Sequence, residues 1–198
     1  MLSRLRGGGH GAFCSTMDFT TNICNVRGEP YRAYGPIDVV YTWVNGSDPK
    51  WLAKKNYWAS KYFPVEEKNI STEGNASSEV FAGNRYRDSD ELRYSIRSLI
   101  KFAPWVRHIY LVTDNQIPSW LNMETDKLTV VSHEDIFANQ SHLPVFSSPA
   151  IEANIHRIQG LSEYFIYFND DVFLGAPVLP EDFMTIGGAF RFVFAWEV

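Results

Sequence analysis

Two adjacent carboxylates follow the most aromatic short stretch of the sequence. Asn169, Asp170 and Asp171 come directly after the apolar run EYFIYF (163–168). Adjacent carboxylates raise each other's pKa unless a cation lies beside them. Neighbouring strand residues point to opposite faces, so both carboxylates reach one site only if the chain turns at Asn169. Because Mg²⁺ commonly takes one or two carboxylates plus substrate phosphates, the pattern favours a metal–diphosphate site over a solvated Asn-Asp turn.

A second candidate site closes the first apolar segment, IDVVYTWV (37–44). Trp43 lies near its end, and Asn45 and Gly46 follow it directly. A glycine at such a position lets a ligand approach the backbone closely, and the indole ring is able to stack on a base. The alternative is a core tryptophan followed by an Asn-Gly turn.

The third candidate lies in DSDELRYSIRSLIKFA (88–103), the clearest helix. Asp90 and Arg93 are one helical turn apart. Either the Arg93 guanidinium clamps a phosphate in a bidentate manner, or Asp90 and Arg93 form a pair on the helix surface. Asp88 and Glu91 have the spacing of a capping box. The apolar residues predict one buried stripe, formed by Leu92, Ile96, Leu99 and Ile100.

Two further candidates involve histidine. His133 follows a strand end, which makes it a candidate general base or phosphate-binding residue. Glu152 and His156 are four residues apart on a predicted helix. They are either an acid/base or ligand pair, or an ordinary interaction on the helix surface.

The elements that must position these residues alternate between strands and helices. Strands are predicted at 37–44, 107–113, 127–131, 163–168 and 190–196, and helices at 50–63, 88–103 and from Ser148 to about Gly160. This alternation favours a mostly parallel sheet flanked by helices. Ligands of such sheets bind beyond the carboxyl ends of the strands, which is where the candidate carboxylates lie.

Composition and charge argue against some classes of function. The net charge of −5 argues against a nucleic-acid-binding domain, and no apolar run approaches the roughly 18 residues of a membrane span. Residues 1–35 are Gly-rich without a period, so we expect a poorly ordered N-terminal segment before one domain at 36–198. Four Asn-x-Ser sequons lean towards a secretory lumen.

Three long stretches resemble the conserved regions of the Stealth family. IDVVYTWVNGSDP (37–49) resembles the first region. RYRDSDELRYSIRSLIKFAPWVRHIYLVTDNQIPSWL (85–121) and LPVFSSPAIEANIHRIQGLSEYFIYFNDDVF (143–173) resemble the second. The family includes bacterial capsular polysaccharide phosphotransferases and the animal phosphotransferase that acts on lysosomal enzymes, and this chain is more similar to the animal branch.

The resemblance implies a Rossmann-like, GT-A-like core that moves GlcNAc-1-phosphate from UDP-GlcNAc to a mannose hydroxyl of a high-mannose glycoprotein in the Golgi, with possible further subunits. It maps Asp170 and Asp171 to the metal-binding pair, which would hold Mg²⁺ or Mn²⁺. It maps Trp43, Asn45 and Gly46 to the nucleotide end, and Asp90, Glu91 and Arg93 to the central helix. We also expect Asn169 and His133 to bind substrate, and Arg93 to act in catalysis together with Asp170 and Asp171.

The family's third and fourth regions, which supply a histidine and an arginine, would lie beyond Val198. The resemblance therefore implies an incomplete catalytic core whose sheet keeps an unpaired edge strand. Two alternatives stay open beside the phosphotransferase: a nucleotide-sugar glycosyltransferase with the same metal site, and a non-catalytic donor-binding or regulatory fragment.

Overall fold

The computed structural model describes residues 34–62 and 86–192, and the backbone of two short strands before them. These are β1 (Thr16–Asp18) and β2 (Ile23–Asn25), which pair antiparallel. They fall inside the segment 1–35, where the sequence shows no period that would predict them. The prediction that the segment is poorly ordered otherwise lies outside the described residues.

A parallel sheet of four strands forms the centre of the described domain. Its strands are β3 (Ile37–Thr42), β4 (Ile109–Thr113), β5 (Leu128–Ser132) and β6 (Tyr164–Asn169), in the spatial order β5-β4-β3-β6. All three pairings are parallel. The α/β fold predicted from the alternation of elements is confirmed, and its parallel sheet is consistent with the Rossmann-like core that the resemblance implies. Among the described residues, β5 and β6 are the edges of this sheet.

Helices cover the sheet on both faces. They are α1 (Pro49–Tyr62), α2 (Glu91–Phe102), α3 (His133–Ile136) and α4 (Ser148–Glu152), with 3₁₀ turns at Gln140–His142, Ile155–Arg157 and Pro180–Asp182. The predicted helix from Ser148 to about Gly160 is wrong in length, because α4 ends after five residues. Asn154 Nδ2 donates to Ala150 O at 2.9 Å, so this side chain competes with the backbone where the helix would continue.

Strand alternation divides the core into two layers. Val39 and Tyr41 of β3 pack on one face, against the α2 stripe residues Leu92, Ile96 and Leu99. Val40 packs on the other face, with residues of β4, β5 and α3. The predicted stripe is correct except for Ile100, which is 62% exposed because it lies at the margin of the buried face.

The start of α2 differs from the predicted capping box. Asp90 is the N-cap residue, its φ is +66°, and within 34–62 and 86–192 its side chain makes no capping hydrogen bond. Asp88 Oδ1 accepts from Asp90 N at 3.1 Å, and Glu91 Oε2 accepts from Ser89 N at 2.5 Å. Asp88 and Glu91 therefore accept hydrogen bonds from backbone N–H groups of the turn that precedes α2, and they do not form the predicted capping box.

The predicted last strand is not formed in the part that the structure describes. Phe190 makes one isolated antiparallel bridge to Met184, and Phe192 is 81% exposed. Residues 193–196 of the predicted strand lie outside the described residues. No helix in the described ranges is long and apolar enough to cross a membrane.

Candidate active site

A cavity of about 460 Å³ opens at the carboxyl ends of β3, β4 and β6. This is the edge at which the sheet was expected to build a site. Of the residues predicted from sequence, six line it: Trp43, Glu91, His133, Asn169, Asp170 and Asp171. Lining residues that the sequence analysis did not select as site residues include Thr42, Trp51, Tyr86, Arg87, Asp114, Phe146 and Ser148.

The chain turns where the two carboxylates require it. Val172 N donates to Asn169 O at 3.2 Å, which closes a tight turn over Asp170 and Asp171. Both carboxyl residues consequently line the same cavity. Asp170 is partly buried and Asp171 is exposed.

Serines of α2 hold the segment that follows this turn. Ser95 Oγ donates to Val172 O, and its oxygen lies 2.9 Å from the Tyr41 hydroxyl. Ser98 Oγ accepts from Leu174 N at 3.0 Å. Because these serines lie one turn apart on a buried helix face, they fix the exit of the acidic turn against the core.

Negative charge accumulates around Asp170. The pKa of the Asp170 carboxyl is raised to about 6, first by burial, then by the neighbouring Asp171, and to a smaller extent by Asp88 and Glu91. Hydrogen bonds from the backbone N–H groups of Ser89 and of Glu91 itself lower the pKa of Glu91, which favours its charged form. A bound cation would relieve this repulsion.

The acidic turn fits a metal ion that shares its coordination with substrate. Within 34–62 and 86–192, no three His, Cys, Asp or Glu side chains converge as a closed metal site. Two adjacent carboxylates, Asp170 and Asp171, instead match the arrangement in which substrate phosphates and water complete an octahedral Mg²⁺ or Mn²⁺. The raised pKa of Asp170 is consistent with that role, because the charge is not balanced by the protein.

The opposite wall carries an ion pair and a buried histidine. Lys54 Nζ pairs with Asp114 Oδ2, directly after β4. His133 is 7% exposed, and its Nδ1 has no hydrogen-bond partner among the described residues. Burial lowers its pKa, although Asp114 acts in the other direction. A ring that is neutral at pH 7 suits proton acceptance better than neutralisation of a phosphate.

A third wall is aromatic. Trp51 contacts Tyr86 and Phe146, with ring centroids 5.1 and 5.6 Å apart, and all three residues line the cavity. Lys55 Nζ lies 4.1 Å from the centroid of the Tyr86 ring. Such a wall offers apolar surface to a base or a sugar ring, next to the acidic turn.

Trp43 occupies the core rather than a stacking position. It lines the cavity but is 6% exposed, belongs to the core cluster of the α2 face, and its Nε1 finds no partner in the part of the chain that the structure describes. A ring so covered has no free face for a base, so the prediction that it stacks on one is not supported. The core alternative describes its placement better.

Asn45 and Gly46 form a turn beside the cavity and do not line it. Asn45 N donates to Gln116 Oε1 at 2.9 Å, and Gln116 Nε2 donates back to Asn45 O at 3.0 Å. At Gly46 the close neighbour is protein, because an added Cβ would lie 2.3 Å from Tyr86 O. The glycine is therefore explained by the approach of Tyr86, not by that of a ligand.

We expect Gly46→Ala to destabilise the domain by about 2 kcal/mol, because the methyl group collides with backbone that cannot move freely. The Gly46 N to Tyr86 O hydrogen bond of 2.9 Å would be lost with the displacement. Urea denaturation measures the effect, with Gly175→Ala as the control, since an added Cβ at Gly175 meets nothing within 4 Å. Equal midpoints for the two variants would contradict the explanation.

Arg93 and Asp90 are not brought to the cavity. Arg93 follows Glu91 by two residues on α2, which places the two side chains about 200° apart around the helix axis. Arg87 lines the cavity instead, before the helix begins. The roles predicted for Arg93 and Asp90 thus have no support from the geometry, and Arg87 is the basic residue that is available to a phosphate.

Glu152 and His156 do not share one helix. Glu152 is the last residue of α4, and His156 lies in the 3₁₀ turn Ile155–Arg157. The i, i+4 helical geometry on which their pairing was predicted is therefore absent. Glu152 is bonded to other residues, since Ser148 Oγ donates to its Oε1.

Comparison with known proteins matches most of the described domain. Residues 35–62 match the model of Stealth protein conserved region 1, and residues 85–192 match that of conserved region 2. These are the regions in which the resemblance was found in the sequence.

Similar proteins are phosphotransferases by name. The chain is 49% identical over 160 residues to an exopolysaccharide phosphotransferase of Streptomyces coelicolor, which covers 81% of the chain and 25% of that protein. It is 49% identical over 152 residues to the receptor polysaccharide phosphotransferase WefC of Streptococcus oralis, covering 77% of the chain and 42% of that protein.

The animal relatives match a shorter stretch at slightly higher identity. The human N-acetylglucosamine-1-phosphotransferase subunits alpha/beta are 52% identical over 120 residues, which is 61% of the chain and 10% of that protein. The chain thus spans less than half of the length of each of these relatives. Both conserved regions occur in order, and the match to region 2 alone covers more than half of the residues of this chain. The chain therefore belongs to the Stealth family.

Proposed function

We propose that this chain is the donor-binding part of a sugar-1-phosphate transferase that uses UDP-GlcNAc. The observation that carries the proposal is the acidic turn of Asp170 and Asp171, which lies in a cavity at the carboxyl edge of a parallel sheet. Membership of a family whose named relatives are phosphotransferases supports this chemistry. The acceptor we propose is a mannose hydroxyl of a high-mannose glycoprotein.

In this reaction the acceptor hydroxyl attacks the β-phosphorus of UDP-GlcNAc. The bond from that phosphorus to the bridging oxygen breaks, the hydroxyl proton would pass to a base, for which neutral His133 is the candidate, and UMP leaves. Asp170 and Asp171 would hold Mg²⁺ or Mn²⁺, which would neutralise diphosphate oxygens as charge shifts to the leaving group. Arg87, on the cavity wall, would add a positive charge near the phosphates.

Each of the two remaining walls of the cavity would contact a different part of the reacting groups. The aromatic wall of Trp51, Tyr86 and Phe146 would pack against the uracil or the GlcNAc ring. Neutral His133, on the other wall, would accept a hydrogen bond or a proton. Each group acts by orientation and charge, which is how phosphoryl transfer is mainly catalysed.

Similarity to the alpha/beta subunits motivates the cellular setting that we propose. The reaction would take place in the Golgi, on lysosomal enzymes that thereby gain a mannose 6-phosphate marker, and with further subunits. The metal and the setting are both part of the proposal.

Calorimetric titration with UDP-GlcNAc, with and without Mn²⁺, tests the donor site, and chromatography of the products tests the chemistry. We expect binding that requires Mn²⁺ and, on incubation with a high-mannose acceptor, release of UMP. Release of UDP would indicate a glycosyltransferase, because the C1–O bond would then be the one that breaks. Metal-dependent binding without any product would indicate that this chain binds the donor but does not transfer it, and no binding by folded protein would refute the donor site.

A further inference from the structure

The hydroxyl of Tyr167 joins three polar side chains at the rim of the cavity. Its oxygen lies 2.8 Å from Thr42 Oγ1, 2.8 Å from Asn169 Oδ1 and 3.3 Å from Glu152 Oε1. Thr42 and Asn169 line the cavity, and Asn169 is the residue directly before the acidic pair. The aromatic pattern of β6 alone predicts a packing role for Tyr167 and gives no sign of this network.

The donors and acceptors of this network can be counted. Asn169 Oδ1 and the Glu152 carboxylate only accept, and a tyrosine hydroxyl has one proton to give. The shorter contact assigns that proton to Asn169, so Thr42 donates its own proton to the Tyr167 oxygen. Glu152 Oε1 is then satisfied by the Ser148 hydroxyl, which donates to it.

Among the described residues, few other interactions hold Asn169 in place. Its register partner is Thr42 at the end of β3, beyond which the sheet pairing of β6 stops. Its backbone oxygen accepts the Val172 N–H that closes the turn. A side chain that is fixed by Tyr167 therefore sets the point at which the strand becomes the acidic turn.

We propose that Tyr167 is a positioning residue of the site: its hydroxyl holds Asn169, and through it the turn that presents Asp170 and Asp171 to a divalent cation. The mechanical part of this inference, that Tyr167 holds Asn169 and the turn, stands on the hydrogen bonds alone. The part that concerns the cation rests on the proposed function.

The fold provides a matched control in Tyr110. Tyr110 and Tyr167 both pair with Val40, one from each side, and pack into the same core layer. The Tyr110 hydroxyl lies at Gly160, 3.3 Å from where a Cβ would be, and it is hydrogen-bonded to the Arg107 side chain at the amino end of the sheet. Tyr110→Phe thus removes one hydroxyl from the same layer without touching the turn.

Amide hydrogen exchange tests the mechanical part without any ligand. We expect the Val172 amide to exchange about tenfold faster in Tyr167→Phe than in wild type, because the turn closes less often, and at the wild-type rate in Tyr110→Phe. Equal rates in the two variants would overturn the proposal. If Tyr167→Phe does not fold, Asn169→Ala, which keeps the tyrosine ring, must show the faster exchange, and an unchanged rate there would be equally fatal.

Mn²⁺ binding, followed by electron paramagnetic resonance, tests the part that concerns the cation. Loss of a group that orients a metal site typically weakens metal affinity 10- to 100-fold, and we expect about tenfold for Tyr167→Phe. In an Asn169→Ala background the same substitution should have no further effect, whereas a merely structural role gives additive losses. If wild type binds no Mn²⁺, the metal of the proposed function fails, while the exchange rates still decide whether Tyr167 positions the turn.

Discussion

Asp170→Asn should lower the affinity for UDP-GlcNAc in the presence of Mn²⁺ by at least about 100-fold, and should stabilise the protein without ligand at pH 7.5. The first effect follows because one of two proposed metal ligands is lost. The second follows because burial and three nearby carboxyl groups disfavour the charged form of Asp170. A residue kept for function at a cost in stability would show both effects.

The sign of the pH dependence can be stated in advance. The pKa of Asp170 is raised from 3.8 to about 6 by folding, with burial as the largest cause. The favourable contribution of its protonated form is complete below about pH 4 and is lost as the pH rises through about 6. The gain of Asp170→Asn over wild type should therefore grow between these values, to about 1 kcal/mol after allowance for solvent screening of a partly exposed group.

Asp126→Asn is the charge-matched control. Asp126 is exposed and lies just before β5, at the amino end of the sheet and away from the cavity. Urea denaturation from pH 4 to 8 and calorimetric titration should show no change for it in either quantity. Asp170→Asn with wild-type affinity would remove the acidic turn from the donor site, and a loss of stability at pH 7.5 would show that the carboxylate is balanced by the protein.

The fold was predictable because its signals are strong and local. Strands such as β4 are continuous apolar runs, and the α2 stripe repeats with the period of a helix, so the parallel sheet and its polar edge follow from residue types alone. The acidic turn followed from the same logic, since two carboxylates at a strand tip share a site only through a turn. Helix ends were less predictable, because Asn154 and Asp88 act through side-chain bonds to the backbone.

The details of the site needed three-dimensional structure. Asp114 lies directly after β4, and its pairing with Lys54 joins two distant segments. The aromatic wall joins Trp51, Tyr86 and Phe146 from three segments of the chain. Spacing along one element cannot reveal such contacts, and for the same reason it favoured Arg93, on α2, over Arg87, which precedes that helix.

A buried ion pair at the amino end of the sheet carries the largest effect that we expect on stability. Asp38 is fully buried in β3, and its Oδ1 accepts from Arg107 Nε at 2.8 Å. Its Oδ2 accepts from Arg107 Nη2 and, at 2.8 Å, from Ser162 N. The Arg107 Nη2 group also donates to Gly160 O at 2.7 Å. The pair thus ties β3 to the start of β4 and to the segment before β6.

We expect Asp38→Asn to destabilise the domain by about 3 kcal/mol at pH 7, as measured by urea denaturation. Loss of one partner of a buried pair commonly costs 3–5 kcal/mol, and the lower end applies because the Arg107 side chain is 45% exposed and can reach water. Asp126→Asn again serves as the control, and an effect below about 1 kcal/mol would show that the pair contributes no more than a surface pair does.

The pH dependence of this loss should run opposite to that of Asp170→Asn. Burial alone would raise the pKa of Asp38, but the hydrogen bonds from Arg107 and Ser162 outweigh it and lower the pKa below 3.8. Stability from the charged form is therefore present above about pH 4 and is lost as the pH falls through the lower value of the folded state. The difference between wild type and Asp38→Asn should shrink there, whereas the gain from Asp170→Asn appears only as the pH rises towards 6. Asp38 lies at the amino end of the sheet, and Asp170 lies at the carboxyl end with the proposed donor site. Asp38→Asn should therefore leave the affinity of the folded protein for UDP-GlcNAc unchanged. A loss of affinity would mean that the two ends of the sheet are coupled.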